Sequence, residues 1–156
     1  MNVSITPMTL ELINEFFKNF VTDPIIFKQP KLSDNYLYDY EKVKKYYANL
    51  TDSTDKIEFA IMVDGLVAGS IKLKHIKTID KSCEMGIHLT NDSYKNIGIG
   101  SIAERLVLDY AFEKLKCKTV YANTLEKNTR SQRVLENNGF CFLRYQDGYK
   151  WYKIER

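Results

Sequence analysis

From Ile57 to Val63 every second residue, Ile57, Phe59, Ile61 and Val63, is apolar. That is the period of a strand with one buried face. Asp64-Gly65 follows and is a strong hairpin signal. The next strand, Leu66 to about His75, therefore pairs back on the first. Ile76 to Lys81 reads as a polar connection, and a fourth strand covers about Ser82 to Leu89. The middle of the chain is thus a β-meander, and the flanking segments have to pack on its faces.

Before the meander, Val3 to Thr6 reads as a strand. Pro7 opens a helix through about Phe20, with Leu10, Ile13, Phe17 and Val21 on one face. Thr22-Asp23-Pro24 ends it, and a less regular stretch runs to Pro30. A second helix is expected from about Asn35 to Leu50, its stripe formed by Tyr36, Tyr40, Val43, Tyr47 and Leu50. Lys42, Lys44 and Lys45 fall largely off that stripe, which suits a core-facing helix with a solvated basic side better than a nucleic-acid surface. After the meander, Thr90 to Asn96 is turn-like. A helix to about Lys116 follows, with Ile99, Ile102, Ala103, Leu106, Tyr110 and Ala111 near one face. Thr119 to Leu125 is a strand, Asn128 to Asn138 a short helix closed by Gly139, and the end a hairpin around Asp147-Gly148. The order β-α-α-β-β-β-α-β-α-β-β is that of a layered α/β domain.

At 156 residues the chain suffices for one domain, residues 1–156, with a substantial core. A net charge of +3 is too small to argue for nucleic acid. No apolar run approaches the ~20 residues of a membrane span, and the N-terminus lacks a signal-peptide pattern, so a cytoplasmic location is expected. Cys83, Cys117 and Cys141 are odd in number and form no CxxC site, so they are expected to be reduced, half-buried thiols. His75 and His88 share no ligand spacing with them, and no metal is expected.

The segment Lys95-Asn96-Ile97-Gly98-Ile99-Gly100-Ser101 lies between a strand and a helix. Glycines let the backbone turn sharply and approach a ligand, and the first N–H groups of a helix lack internal partners. Such a turn can cradle a pyrophosphate. It can also be no more than a tight connection. A P-loop is excluded because no Lys follows either glycine. Gly98-Ile99-Gly100-Ser101-Ile102-Ala103 matches the dinucleotide fingerprint GxGxxA, but that belongs directly after the first strand of a repeated βαβ unit, and here a meander precedes it.

The same segment resembles the acetyl-coenzyme A loop, [Q/R]xxGx[G/A], of the GNAT superfamily of N-acetyltransferases, with Lys95 in place of the usual first residue. Asn128-Thr129-Arg130-Ser131-Gln132-Arg133-Val134-Leu135-Glu136-Asn137-Asn138-Gly139-Phe140 resembles the family's second signature, an Asn followed by a short helix ending in Gly-Phe. Glu84 to Leu89 resembles its splayed fourth strand. The chain looks most like the RimJ/RimL-like branch. The resemblance implies a mixed, mostly antiparallel sheet flanked by helices, with that fourth strand splayed.

It also implies direct transfer of an acetyl group from acetyl-CoA to an amine, of a small molecule or a protein N-terminus, with no metal. Backbone groups of Ile87, His88 and Leu89 would pair with the pantetheine arm and polarise the carbonyl. The loop from Lys95 and Asn96 through Ile97, Gly98, Ile99, Gly100 and Ser101 would hold the pyrophosphate, and Asn128 would contact the arm. A protonated amine needs a base, and Glu84 is the candidate, with a solvent-facing strand carboxylate as its other reading. His88 is a weaker candidate on the same face. Many family members carry, seven residues after the Asn, a Tyr that protonates the leaving thiolate. Leu135 stands there instead. Ser131, three after the Asn, matches the serine of the RimL-like branch and is the candidate donor, unless it only caps its helix. Tyr149, Trp151 and Tyr152 line the acceptor pocket or pack the core. Leu135 leaves room for a second function, an acetyl-CoA-binding sensor with weak catalysis. Neither nucleic acid nor membrane is an expected partner, and a homodimer is an open assembly.

Overall fold

The computed structural model describes residues 1–21 and 37–156. The chain runs β1 (Val3–Pro7), α1 (Leu10–Asn19), α2 (Tyr40–Asp52), β2 (Ile57–Val63), β3 (Leu66–Lys77), β4 (Ser82–Leu89), α3 (Ile99–Asp109), β5 (Thr119–Leu125), α4 (Thr129–Asn137), β6 (Cys141–Gln146) and β7 (Tyr149–Glu155). This is the order read from the sequence. The seven strands form one sheet in the order β1-β2-β3-β4-β5-β7-β6. Every neighbouring pair is antiparallel except β4 with β5, so the expected mixed, mostly antiparallel sheet forms.

Alternation along the strands sends apolar residues to both faces, and each face carries its own helices. On one side Phe59, Ile61, Ile71, Leu73, Met85, Val120 and Tyr152 pack against Ile99, Ala103, Val107, Leu108 and Ala111 of α3 and Leu135 of α4. On the other, Ala60 and Val67 pack against Ile13 and Phe16 of α1 and Val43 of α2. Among the described residues, this second helical layer packs chiefly on the β1–β3 half of the sheet. Beyond it the same face presents polar residues, which matters for the site.

Several local expectations are corrected. Pro7 does not open α1. It ends β1, paired with Phe59, where an edge strand tolerates its missing N–H. Thr9 caps α1 instead, its side chain accepting from the Leu12 N–H at 3.2 Å. The buried stripe of α1 is Ile13 and Phe16; Val21, beyond the helix end, is 57% exposed. Asp39 caps α2, and Tyr40, expected on the buried stripe, is 43% exposed. The expected start of that helix at Asn35 and Tyr36, and the segment Thr22 to Pro30, lie outside the described residues. Strand β3 runs on to Lys77 through an irregularity after Lys74. Helix α3 widens after Asp109 into a π-type turn, Tyr110–Lys114. Its buried stripe includes Glu104, which the sequence pattern missed. Cys83 and Cys117 are buried and Cys141 exposed, all free thiols, where half-burial was expected.

Gly69 fixes how closely β3 and β4 approach. A Cβ there would lie 2.6 Å from the His88 carbonyl oxygen, a backbone atom that cannot swing aside. Gly69→Ala should therefore lower unfolding stability by about 1–3 kcal/mol, the usual cost of overpacking. Urea unfolding measures it; an unchanged midpoint would show that β4 shifts freely.

Candidate active site

Strands β4 and β5 pair over four rungs only, from Ser82↔Thr119 to Met85↔Ala122. After Met85 they part, while β4 stays paired with β3 as far as Gly69↔Leu89. The residues from Gly86 to Leu89 thus have one satisfied edge and one turned to the gap. Backbone groups at an open edge need a partner, and an extended ligand can supply one.

Two clefts reach this gap. The first is lined by Ile87, His88 and Leu89, by Lys95, Asn96, Gly98, Gly100 and Ser101, and by Asn128 and Ser131 of the second signature. Its volume, counted with the space open to solvent, is about 810 Å³. The loop owes its shape to two left-handed residues, Asn96 (φ 63) and Gly98 (φ 91). Gly98 is the N-cap of α3 and offers no side chain to the first N–H groups. They open into the cleft uncapped, at the positive end of the helix. A Cβ on Gly100 would meet nothing nearer than Ile87 Cδ1 at 3.9 Å. Among the described residues the space over Gly100 is therefore open to an approaching phosphate. Ile99 is buried in the core and can serve a ligand only through its backbone, whereas Ile97 is exposed. Lys95 Nζ is paired with Asp92 at 2.8 Å. Arg130, which the sequence reading did not single out, also lines the cleft.

The second cleft opens on the polar part of the sheet. Lys72 and Lys74 of β3, Glu84 and His88 of β4, Asn123 of β5 and Tyr149 of β7 line it. Glu84 faces away from the buried Cys83 and Met85, as alternation requires. Its Oε1 accepts from Asn123 Nδ2 at 3.2 Å and lies 3.7 Å from Lys74 Nζ; its Oε2 lies 3.8 Å from His75 Nε2. It is held in place rather than free in solvent. His88 is exposed to the cleft. The surrounding protein first, then Lys72, Lys74 and Lys95, hold its imidazole below the usual histidine value, so it is neutral at pH 7. Tyr152 belongs to the core, and its hydroxyl donates to Glu136 Oε1.

Five residues line both clefts: Ile87, His88, Glu104, Asn128 and Ser131. There an amine arriving from one side can meet a thioester held on the other. Asn128 Oδ1 caps α4 by accepting from the Ser131 N–H at 3.1 Å, which leaves its Nδ2 as the donor for a ligand. Glu104, absent from the sequence reading, is buried at 2% exposure.

Residues 2–141 match the acetyltransferase (GNAT) domain family. The chain belongs to that family. It is 28% identical over 116 residues, 74% of this chain and 69% of the relative, to acetyltransferase PseH of Campylobacter jejuni. The crystal structure of that organism's PseH with acetyl-coenzyme A superposes with a TM-score of 0.73 at 21% identity, covering 99% of each chain. The ribosomal L7/L12 α-N-protein acetyltransferase RimL, solved with coenzyme A, gives a TM-score of 0.82 at 13% identity over 99% of this chain and 94% of that one. A chimera of spermidine N-acetyltransferase SpeG from Vibrio cholerae and hSSAT gives 0.82 at 15%, covering 99% and 96%. The protein is an acetyl-CoA-dependent N-acetyltransferase, and acetyl-CoA is its cosubstrate. The uncapped turn and the space over Gly100 fit that ligand's pyrophosphate.

The φ of Gly100 is not positive, so its need for glycine comes from ligand approach and not from strain. Gly100→Val should fold, with an unchanged circular dichroism spectrum, and bind acetyl-CoA ~10- to 100-fold more weakly, the loss of one hydrogen bond to a charged group. Calorimetric titration checks this; unchanged affinity would remove the loop from the site.

Proposed function

We propose that residues 1–156 are one catalytic domain of the RimJ/RimL-like branch, acting in the cytoplasm, and that the second cleft receives the acceptor amine. The observation that carries this reading is the meeting of two clefts at the gap between β4 and β5. The first, between Leu89 and Ser101 and along the start of α4, takes acetyl-CoA, with Ile87, His88 and Leu89 beside the pantetheine arm and Asn128 Nδ2 donating to it. The second brings the amine past Glu84.

Glu84 is the general base in this reading, directly or through one water. It lies on the acceptor side and is oriented by Asn123. An amine with a pKa of roughly 8 to 10.4 is mostly protonated at neutral pH, so the removal of one proton limits attack. The nitrogen lone pair then attacks the thioester carbon, backbone N–H groups of β4 hold the oxyanion, and the C–S bond breaks. Ser131, at the junction, hands a proton to the sulfur.

The acceptor named for RimL is a protein N-terminus and that for SpeG is spermidine. Lys72 and Lys74 flank the proposed amine path and repel a polycation. We therefore favour an acceptor with a single cationic amine over a polyamine. Screening a panel of amines for release of coenzyme A thiol tests this: spermidine as the best acceptor would overturn it.

Glu84→Gln should lower kcat by ~100- to 10,000-fold, the usual range for a general base, with acetyl-CoA affinity nearly unchanged by calorimetry. The deficit should shrink as pH rises, because the free amine then needs no base. Full turnover at every pH would make Glu84 a structural strand residue.

A further inference from the structure

Proton delivery to the departing sulfur is the step for which the chain has no evident acid. Leu135 stands where a phenol would donate. A serine hydroxyl is a far weaker acid than a thiol, whose pKa is ~8.5. Ser131 cannot give up its proton to a thiolate and remain an alkoxide. It can only pass on a proton received from a stronger acid.

Glu104 stands at the right place. It projects from α3 to the junction and, with Ser131, lines both clefts. Its one hydrogen-bond partner among the described residues is Asn138, whose Nδ2 donates to Oε2 at 3.1 Å. That amide is itself fixed, donating to the Ser101 carbonyl and accepting from the Ser101 hydroxyl. No cation lies within ion-pair distance of Glu104 among the described residues. A buried carboxylate without a counter-charge is costly, and the group keeps its proton instead. The rest of this buried stripe, Ile99, Ala103, Val107 and Leu108, is apolar, so the acid stands out there, and only one of its oxygens is used by the bond to Asn138.

We propose that Glu104 is the proton source for the leaving thiolate, acting through the Ser131 hydroxyl. When the tetrahedral adduct collapses, the C=O bond re-forms and the C–S electron pair leaves with sulfur. Sulfur takes the Ser131 proton, Ser131 takes that of Glu104, and Glu104 is left as a carboxylate. The proton removed from nitrogen departs through Glu84 to solvent, and solvent reprotonates Glu104 before the next turnover. Burial, opposed only by the Asn138 bond, pushes the Glu104 carboxyl up to about 7, close to a thiol and suited to this transfer. The other charged or titratable groups on the two clefts are Lys72, Lys74, Glu84, His88, Lys95, Arg130 and Tyr149; none of them contributes to that shift.

The inference rests on acetyl transfer at the junction, and the test separates the two. Glu104→Gln keeps the shape and can still accept from Asn138, but carries no acid. With the best acceptor, its kcat should fall ~100-fold while KM for acetyl-CoA stays within about twofold. Wild-type kcat should decline as pH rises through the Glu104 pKa, because the donor form is lost, and the variant should lack that limb. Ser131→Ala should lose as much as Glu104→Gln, and the double variant no more than either, since both act on one relay. Wild-type kcat in the variant, a retained alkaline limb, or multiplying losses would overturn the proposal. A second arm needs no amine. The thiol of bound coenzyme A, followed by its thiolate absorbance, should titrate at higher pH in the wild type, where Glu104 is already a carboxylate, than in Glu104→Gln. Equal titrations would overturn the assignment. A wild type that releases no thiol with any amine would instead sink the acceptor reading and leave this arm to decide on Glu104.

Discussion

The separation of β4 from β5 after Met85 is the constraint on which the rest depends. Four rungs of parallel pairing hold the strands together, and beyond them a sheet that would otherwise be continuous is open. Helix α3 starts beside that opening with Gly98 as its cap, which offers no side chain to its first N–H groups. Gly69 holds the other edge of β4 hard against β3. A strand fixed on one side and free on the other is a template for an extended ligand, and neither a closed sheet nor a mobile strand would serve.

Most of the fold was legible because its elements announce themselves locally. The Asp64-Gly65 turn has both residues at positive φ; the alternation from Ile57 to Val63 marks a strand, but one buried on both faces, since Glu58 and Ala60 are buried too, and not half-buried as the period suggested. Helix starts were less legible: whether Pro7 ends a strand or begins a helix depends on Phe59 across the sheet. The opening between β4 and β5 could not be read from periodicity at all, which says which residues are buried and not which strands part; family resemblance supplied it. The tethers of the two carboxylates were equally hidden. Asn123 reaches Glu84 across 39 positions and Asn138 reaches Glu104 across 34. One signal was available and missed: an acidic residue sits between Ala103 and Val107 in an otherwise apolar helical stripe.

Glu84 and Glu104 are identical side chains in unlike environments, which suits them to the different roles proposed for them. The first is surrounded by Lys74, His75 and Asn123 at the wall of a wet cleft. The second, among the described residues, is hydrogen-bonded only to an amide and is almost fully buried. Burial favours the neutral form of the second. In the proposed mechanism the first takes a proton from the amine and the second supplies one to the sulfur, on opposite sides of the reacting bond.

The two clefts have separate linings apart from the five residues at which they meet. Donor and acceptor then need not pass through a common mouth, and neither has to vacate the protein before the other arrives. Such an arrangement favours a ternary complex over a shuttling acyl-enzyme. Double-reciprocal plots at several fixed amine concentrations should converge, and the acetylated amine and coenzyme A should be free to dissociate in either order.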